Sequence, residues 1–210
     1  MDLIAHRGLT NENIKENTLK AFKNAINNNY NGIELDIRKT KDNVIVVIHD
    51  KYINRTSDGI GNINNLTYKN VLKYNFGTKK NKSKIPTLKE VIKCINNANI
   101  FIELKEKINK EELENILKLN NSNKYYLMSF NKEYIDDLVG VEYNLGLINY
   151  VFNSFIDYSN YNFVLVLEDL FNKDIYDYFK KLNIEVVIYN IRNNISLKNK
   201  EIFNDIKYII

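Results

Sequence analysis

The sequence predicts an α/β fold, a (β/α)8 barrel with a small insertion after the second strand. Three observations carry this. Eight short apolar runs alternate with amphipathic helical stretches, and such alternation predicts a parallel sheet covered by helices. Charged residues collect at the C-terminal ends of the early runs, where a barrel of this class builds its site. No Gly-rich loop follows the first run, which removes the main mark of the rival architecture, an open doubly wound sheet. With 210 residues the chain has ample length for one large core, and a single domain over 1–210 is expected.

Composition narrows the class further. The formal net charge is +4, from 30 basic and 26 acidic residues. The two signs are mixed along the chain, so no nucleic-acid footprint is expected. Cys94 is the single cysteine, which excludes an internal disulfide. It sits among Val91, Ile92 and Ile95, where packing in a helix accounts for it. No secretory signal and no apolar stretch of membrane-spanning length are visible, so a cytoplasmic protein without stable membrane insertion is expected. Oligomeric state leaves no mark on the sequence.

The first strand, residues 2–8, is an apolar run that ends abruptly in His6, Arg7 and Gly8. After a polar loop, Leu19, Phe22 and Ile26 fall on one face of a helix, with Asn17 or Thr18 as its cap. The second strand, 32–38, places Ile33, Leu35 and Ile37 on one face and Glu34 and Asp36 on the other. In a closed barrel the carboxylates point inward, at a desolvation cost that a cation would offset. A tight turn at 41–43 sends the next run, 44–50, back antiparallel as a hairpin, which returns His49 to the level of Glu34 and Asp36. Residues 51–85 read as an excursion over the barrel mouth with a short helix at 66–72. Thr87 and Glu90 then fit a capping box before a Leu88, Val91, Ile92, Ile95 stripe. The strand at 99–105 carries Glu103 and Lys105 at its end. Helix and strand then alternate: helix 111–119, strand 125–130, a helix capped by Asn131, strand 143–148, a short helix 151–156, strand 163–168, helix 174–182, strand 184–190, helix 197–204 and strand 206–210.

The charged strand ends describe one chemistry. Glu34, Asp36 and Glu103 suit a hard divalent cation, Ca²⁺ or Mg²⁺. His6 and His49 suit general acid and base work near neutral pH. Arg7 and Lys105 supply positive charge for an anion, and arginine can grip a phosphate bidentately. Together these point to metal-assisted cleavage of a phosphate ester, attacked by water or by a substrate hydroxyl.

In order and spacing, the strings Ala5-His6-Arg7-Gly8, Glu16-Asn17-Thr18, Glu34-Leu35-Asp36, His49-Asp50, Arg55-Thr56, Asp58-Gly59 with Gly61, Ile85-Pro86-Thr87-Leu88, Glu103-Leu104-Lys105 and Ser129-Phe130 resemble the glycerophosphodiester phosphodiesterase family. The resemblance implies a TIM barrel. It also implies hydrolysis of small glycerophosphodiesters to glycerol 3-phosphate and an alcohol, with Ca²⁺ or Mg²⁺ required. Carried over residue by residue, it makes Glu34, Asp36 and Glu103 metal ligands, His6 and His49 the acid–base pair, and Arg7 and Lys105 the phosphate holders. Glu16 would orient Arg7 or the first loop. Related phospholipase C barrels imply attack by the glycerol 2-hydroxyl, with a cyclic intermediate; direct attack by water stays open.

Two departures stand out. Where the family often has a Trp-Thr-Val-Asn-like string, this chain has Ile188-Tyr189-Asn190-Ile191, so Tyr189 takes the place of a substrate contact. The sequence also stops at Ile210, on the eighth strand, without the usual polar turn or a closing helix, which bears on how complete the barrel's last wall is. Two other functions fit parts of the pattern. A lysophospholipase D or a phospholipase C-like enzyme would use an apolar rim on the excursion, around Ile60, Ile63, Leu66 and Phe76. A non-catalytic phosphodiester-binding barrel would have no use for an acid–base pair.

Overall fold

The structure, a computed structural model, describes residues 1–149, 153–189 and 205–210. Its strands are β1 (Asp2–Ala5), β2 (Gly32–Lys39), β3 (Ile45–Val47), β4 (Asn99–Leu104), β5 (Lys124–Ser129), β6 (Asn144–Asn149), β7 (Phe163–Leu167), β8 (Glu185–Tyr189) and β9 (Tyr208–Ile209). They form one sheet in the order β1-β9-β8-β7-β6-β5-β4-β2-β3, and β1 also pairs with β2. All but β3 are parallel, so eight strands close on themselves into the expected TIM barrel.

The helices are α1 (Leu19–Asn27), α2 (Tyr68–Val71), α3 (Leu88–Cys94), α4 (Lys110–Leu117), α5 (Lys132–Asp136) and α6 (Lys173–Lys181). Their starts follow the local sequence. Thr18, not Asn17, caps α1 by accepting from the Ala21 amide, and Thr87 and Glu90 form the expected capping box on α3. Asn109, Asn131 and Asn172 cap α4, α5 and α6.

Alternation along each strand separates two cores. Ile33, Leu35 and Ile37 face outward and pack with Phe22, Leu88, Val91, Ile102 and Leu127 in the layer between strands and helices. Ile4, Phe101, Tyr126, Met128, Phe163 and Tyr208 fill the lumen. Phe101 and Tyr126 stack there with ring centroids 4.3 Å apart. The floor of the barrel is therefore packed, and the open space is left at the C-terminal strand ends.

The return hairpin exists as expected. β3 pairs antiparallel with β2 through Ile37↔Val47, Arg38↔Val46 and Lys39↔Ile45. β2 can hold it because β1 pairs only with its start, at Ile4↔Gly32 and Ala5↔Ile33. β3 serves two cores by alternation. Ile45 and Val47 join the main layer, while Val46 and Ile48 pack with Ile53, Ile63, Val71, Phe76 and Ile85 in a separate core belonging to the insertion. Of the residues expected on an apolar rim, Ile63 and Phe76 are buried in that core and Leu66 is half-buried against it. Ile60 alone of the four projects, at 81% exposure.

Two helix expectations fare differently. Part of the one over 151–156 lies outside the described residues, and residues 153–156 form turns, not a helix. Asn153 and Asp157 each accept a hydrogen bond from the backbone amide two residues on, at 2.9 Å in both cases. Such local bonds compete with helix formation. The helix expected over 197–204 lies outside the described residues. The last wall is closed by β9, which pairs with β1 on one side and with β8 on the other.

Candidate active site

His6 and Arg7 sit just past the end of β1 in a sharp turn. Arg7 has φ +56° and Gly8 φ +80°, left-handed conformations that an arginine adopts only when its surroundings enforce them. A Cβ on Gly8 would lie 2.7 Å from the Ala21 backbone carbon, so the turn can lie on α1 only with glycine there. The Arg7 amide donates to Glu34 Oε2 at 3.0 Å. The first loop is thus fastened to the lumen-facing carboxylate of the next strand.

The register of β2 against β4 makes Asp36 and Glu103 direct neighbours, with Glu34 two residues lower on the same inward face. The three carboxylates are buried, and one oxygen from each lies within 4.8 Å of the others. Among the described residues this is the one group of its kind. It is an all-oxygen donor set, the kind that hard divalent ions take. Burial pushes the Glu34 carboxyl well above the usual range, and the charges of Asp36 and Glu103 add to this. Glu103 is pushed up to about 7 by burial and then by Asp36. Asp36 is held below its ordinary value, because Lys105, Arg7 and His49 outweigh the effect of burial. The residues present therefore fit a cation: ionising Glu34 and Glu103 is disfavoured by burial and by their neighbours' charge, an imbalance that a bound cation would offset.

The basic groups are committed to this cluster. Lys105 Nζ lies 3.1 Å from Asp36 Oδ1 and 2.5 Å from Glu103 Oε1. Arg7 Nε lies 3.3 Å from Asp36 Oδ2, and its Nη1 donates to Glu16 Oε1 at 3.0 Å. Asn17 donates from Nδ2 to Asp36 Oδ2 at 2.8 Å from a buried position at φ +54°.

The two histidines come from different elements. His6 Nε2 is 3.8 Å from Glu34 Oε2. His49 follows β3, its carbonyl accepts from Arg38 Nε at 2.8 Å, and its Nδ1 is 2.6 Å from Asp50 Oδ1. Burial lowers the pKa of both rings, with Arg7 adding to it at His6 and the carboxylates of Asp36 and Asp50 resisting it at His49.

His6, Arg7, Glu34, His49, Glu103 and Lys105 line one cavity of about 200 Å³. Its opposite wall is apolar: Met128, Phe130, Ile148, Leu165, Tyr189 and Ile210. A larger hollow of about 730 Å³, between Asp42–Ile45 and α4, lies on the outer wall and contains neither histidine. The structure thus brings together His6, His49, Glu34, Asp36, Glu103, Arg7 and Lys105, with Glu16 behind Arg7 and Tyr189 across the cavity. Sequence reasoning gave no site role to Asn17, Asp50 or Arg55, although each stands in a string used for the resemblance. Apart from Tyr189 it also missed the apolar wall, which comes from β5 to β8 and from the residue after β9.

The sequence profile of the glycerophosphoryl diester phosphodiesterase family matches residues 6–137. The chain belongs to this family. It is 32% identical over 166 residues to a glycerophosphodiester phosphodiesterase of Caldanaerobacter subterraneus subsp. tengcongensis, covering 70% of this chain and 68% of that protein. To glycerophosphodiester phosphodiesterase 1 of Homo sapiens it is 39% identical over 110 residues, 49% of this chain and 33% of the human protein. Among solved structures, a phosphodiesterase of Oleispira antarctica in complex with its product sn-glycerol-3-phosphate superposes with a TM-score of 0.86 at 23% identity. That match covers all of this chain and 92% of that one. A glycerophosphodiester phosphodiesterase of Thermotoga maritima gives 0.79 at 24% identity, over 99% and 92% of the two chains. At these identities the structural likeness speaks for the fold.

Proposed function

We propose that this family member hydrolyses glycerophosphodiesters to glycerol 3-phosphate and an alcohol. The observation that carries the proposal is the convergence of two histidines, two cationic side chains and the carboxylates of Glu34 and Glu103 on one cavity, with Asp36 buried beside them. Pure binding of a diester has no need of two histidines on the same cavity.

Glu34, Asp36 and Glu103 would hold the cation, Ca²⁺ or Mg²⁺. When bound, it supplies charge that polarises a phosphoryl oxygen and offsets the carboxylates' repulsion. Arg7 and Lys105 hold the phosphate. Arg7 spends Nε and Nη1 on Asp36 and Glu16, which leaves Nη2 for the anion. Lys105 already bridges two carboxylates, so cation and substrate would both redistribute its contacts. One histidine removes the proton from the attacking hydroxyl, of water or of the glycerol. The other gives a proton to the departing alkoxide as the P–O bond breaks. Lowered pKa values favour neutral rings, so the base is ready and the acid is the scarcer form at neutral pH.

Release of glycerol 3-phosphate from glycerophosphocholine, -ethanolamine, -glycerol or -inositol with Ca²⁺ or Mg²⁺ present is the test. Activity on at least one diester is expected, with a fall of roughly 10²-fold or more in His6→Ala. No turnover of any of the four by folded protein overturns the proposal. The apolar wall favours a second reading, cleavage of lysophospholipids. Preference for a long-chain lysolipid over the water-soluble diesters would establish it.

A further inference from the structure

We propose that Arg55 is a positioning residue that sets His49 and Arg7 at once, through Asp50 and Glu16, so that the insertion is a working part of the site. The inference rests on the phosphodiesterase reading for what His49 and Arg7 do, and on geometry for everything else.

The contacts run unbroken across the mouth. Arg55 Nε and Nη2 donate to Asp50 Oδ2 and Oδ1 at 2.6 and 3.0 Å. Its Nη1 and Nη2 donate to Glu16 Oε2 and Oε1 at 2.8 Å each. One guanidinium therefore makes two bidentate pairs. Asp50 Oδ1 is also 2.6 Å from His49 Nδ1, and Glu16 Oε1 also accepts from Arg7 Nη1 at 3.0 Å. Arg55 lies in the insertion, Glu16 in the loop after β1, and the two are 39 positions apart.

Each end has a chemical consequence. Hydrogen bonds from Arg55 and then His49 hold Asp50 far below the usual carboxylate range, so it stays ionised. An ionised carboxylate only accepts. The hydrogen between Asp50 and His49 therefore sits on Nδ1, which fixes the tautomer and leaves Nε2 to exchange protons with substrate. At the other end, Glu16 pulls Arg7 from a turn at φ +56°, where the side chain needs an outside hold to keep its bearing. The rival account is an ordinary surface ion pair, since the Arg55 side chain is 48% exposed. Such pairs contribute little. The rival does not require that both carboxylates go on to a residue lining the cavity, and here both do.

Only arginine can make this joint. Lysine keeps the charge but is a point donor and cannot grip two carboxylates bidentately. The chain has two histidines, so a ¹⁵N-histidine spectrum holds two rings, assigned with His6→Ala. Wild-type His49 is expected as the Nδ1–H tautomer. In Asp50→Asn and Arg55→Lys it is expected as a tautomer mixture. In Asp50→Asn its pKa falls further, since a hydrogen bond and a negative charge that raise it are lost. In Asp50→Asn kcat is expected to fall about tenfold or more with KM within about threefold, because alignment is lost and not binding; in Arg55→Lys kcat is expected to fall as far and KM to rise as well, because Arg7 loses its hold through Glu16. Ile63→Val, which loosens the insertion core without touching the joint, is expected to keep the wild-type spectrum and kcat. Wild-type tautomer and kcat within about twofold in both folded variants overturn the proposal. Should wild-type protein turn over no diester, that result counts against the phosphodiesterase reading, and the spectra alone decide the joint.

Discussion

Glu34, Asp36 and Glu103 are an expensive trio to bury, and their pKa values divide the cost unevenly. Asp36 has Lys105, Arg7 and Asn17 around it and stays ionised. Glu103, pushed to about 7 mainly by burial, is uncharged over part of the physiological range when no cation is bound. The sign for stability follows. A carboxyl whose folded pKa lies above its unfolded value of about 4.5 contributes most below that value and loses its contribution as pH rises through about 7. The histidines act in the opposite sense, because their folded pKa values are lowered and acid disfavours them. The measurement is therefore a difference. Without divalent ion, Glu103→Gln is expected to gain stability relative to wild type as pH rises from about 5 to about 8. The gain should approach about 2 kcal/mol, or roughly 4–8 °C in Tm. Adding Ca²⁺ or Mg²⁺ at pH 8 should raise the wild-type Tm, by about 2.7 kcal/mol of stability at a hundredfold excess over Kd, and should raise the variant's less. An equal shift in both proteins would remove Glu103 from the ion's ligands.

At the scale of elements, the insertion can be loosened apart from the barrel because it has its own core. Ile63 is fully buried there against Val46, Ile53 and Val71. Ile63→Ala is expected to cost about 2–5 kcal/mol. Faster amide exchange should be confined to residues 45–85 and leave β5 to β8 protected. Spread of that exchange into β6 would mean the two cores unfold as one. Thr87→Ala, which breaks the capping box on α3, should cost about 1 kcal/mol. Elements of this kind were legible in the sequence wherever a period or a cap marked them. Alternation alone put Glu34 and Asp36 on the face opposite Ile33 and Leu35, and a short turn announced the hairpin that delivers His49. Asn is harder to read. It caps three helices, yet at Asn17, Asn29, Asn43, Asn97 and Asn183 it takes left-handed backbone positions, and at 153 it folds a turn where a helix was expected. The same short amide serves all three purposes. Of the joint through Arg55 the sequence offered the Glu16–Arg7 end alone, because no local pattern links positions 16, 50 and 55.

For the molecule as a whole, the eight parallel strands close into a ring, so stability is shared around it. Closure depends on β9, two residues long, which joins β8 to β1. What anchors so short a strand is Tyr208. Its ring packs edge-on to Phe101 at 5.4 Å, and its hydroxyl lies 2.6 Å from that of Tyr126, inside the lumen. Burial raises the pKa of both phenols, so the pair stays neutral and hydrogen-bonded across the working range. Two substitutions separate ring from hydroxyl. Tyr208→Phe leaves the Tyr126 hydroxyl without its partner and should cost about 1–3 kcal/mol. Tyr208→Ala also empties part of the lumen and should cost about 3–5 kcal/mol. The shape of the transition matters more than its midpoint. The chain has 15 tyrosines and no tryptophan, so near-ultraviolet dichroism follows tyrosine packing while the far ultraviolet follows the backbone. If β9 locks one cooperative ring, both signals in Tyr208→Ala fall together at a lower temperature. If the strand is an appendage, the tyrosine signal of the lumen gives way first and the backbone melts near the wild-type temperature. Coincident transitions are expected, because β1, which carries His6 and Arg7 at its end, pairs with β9 for as many residues as with β2. Loosening the last strand should therefore also weaken turnover, even though Tyr208 lies on the lumen floor away from the reacting groups.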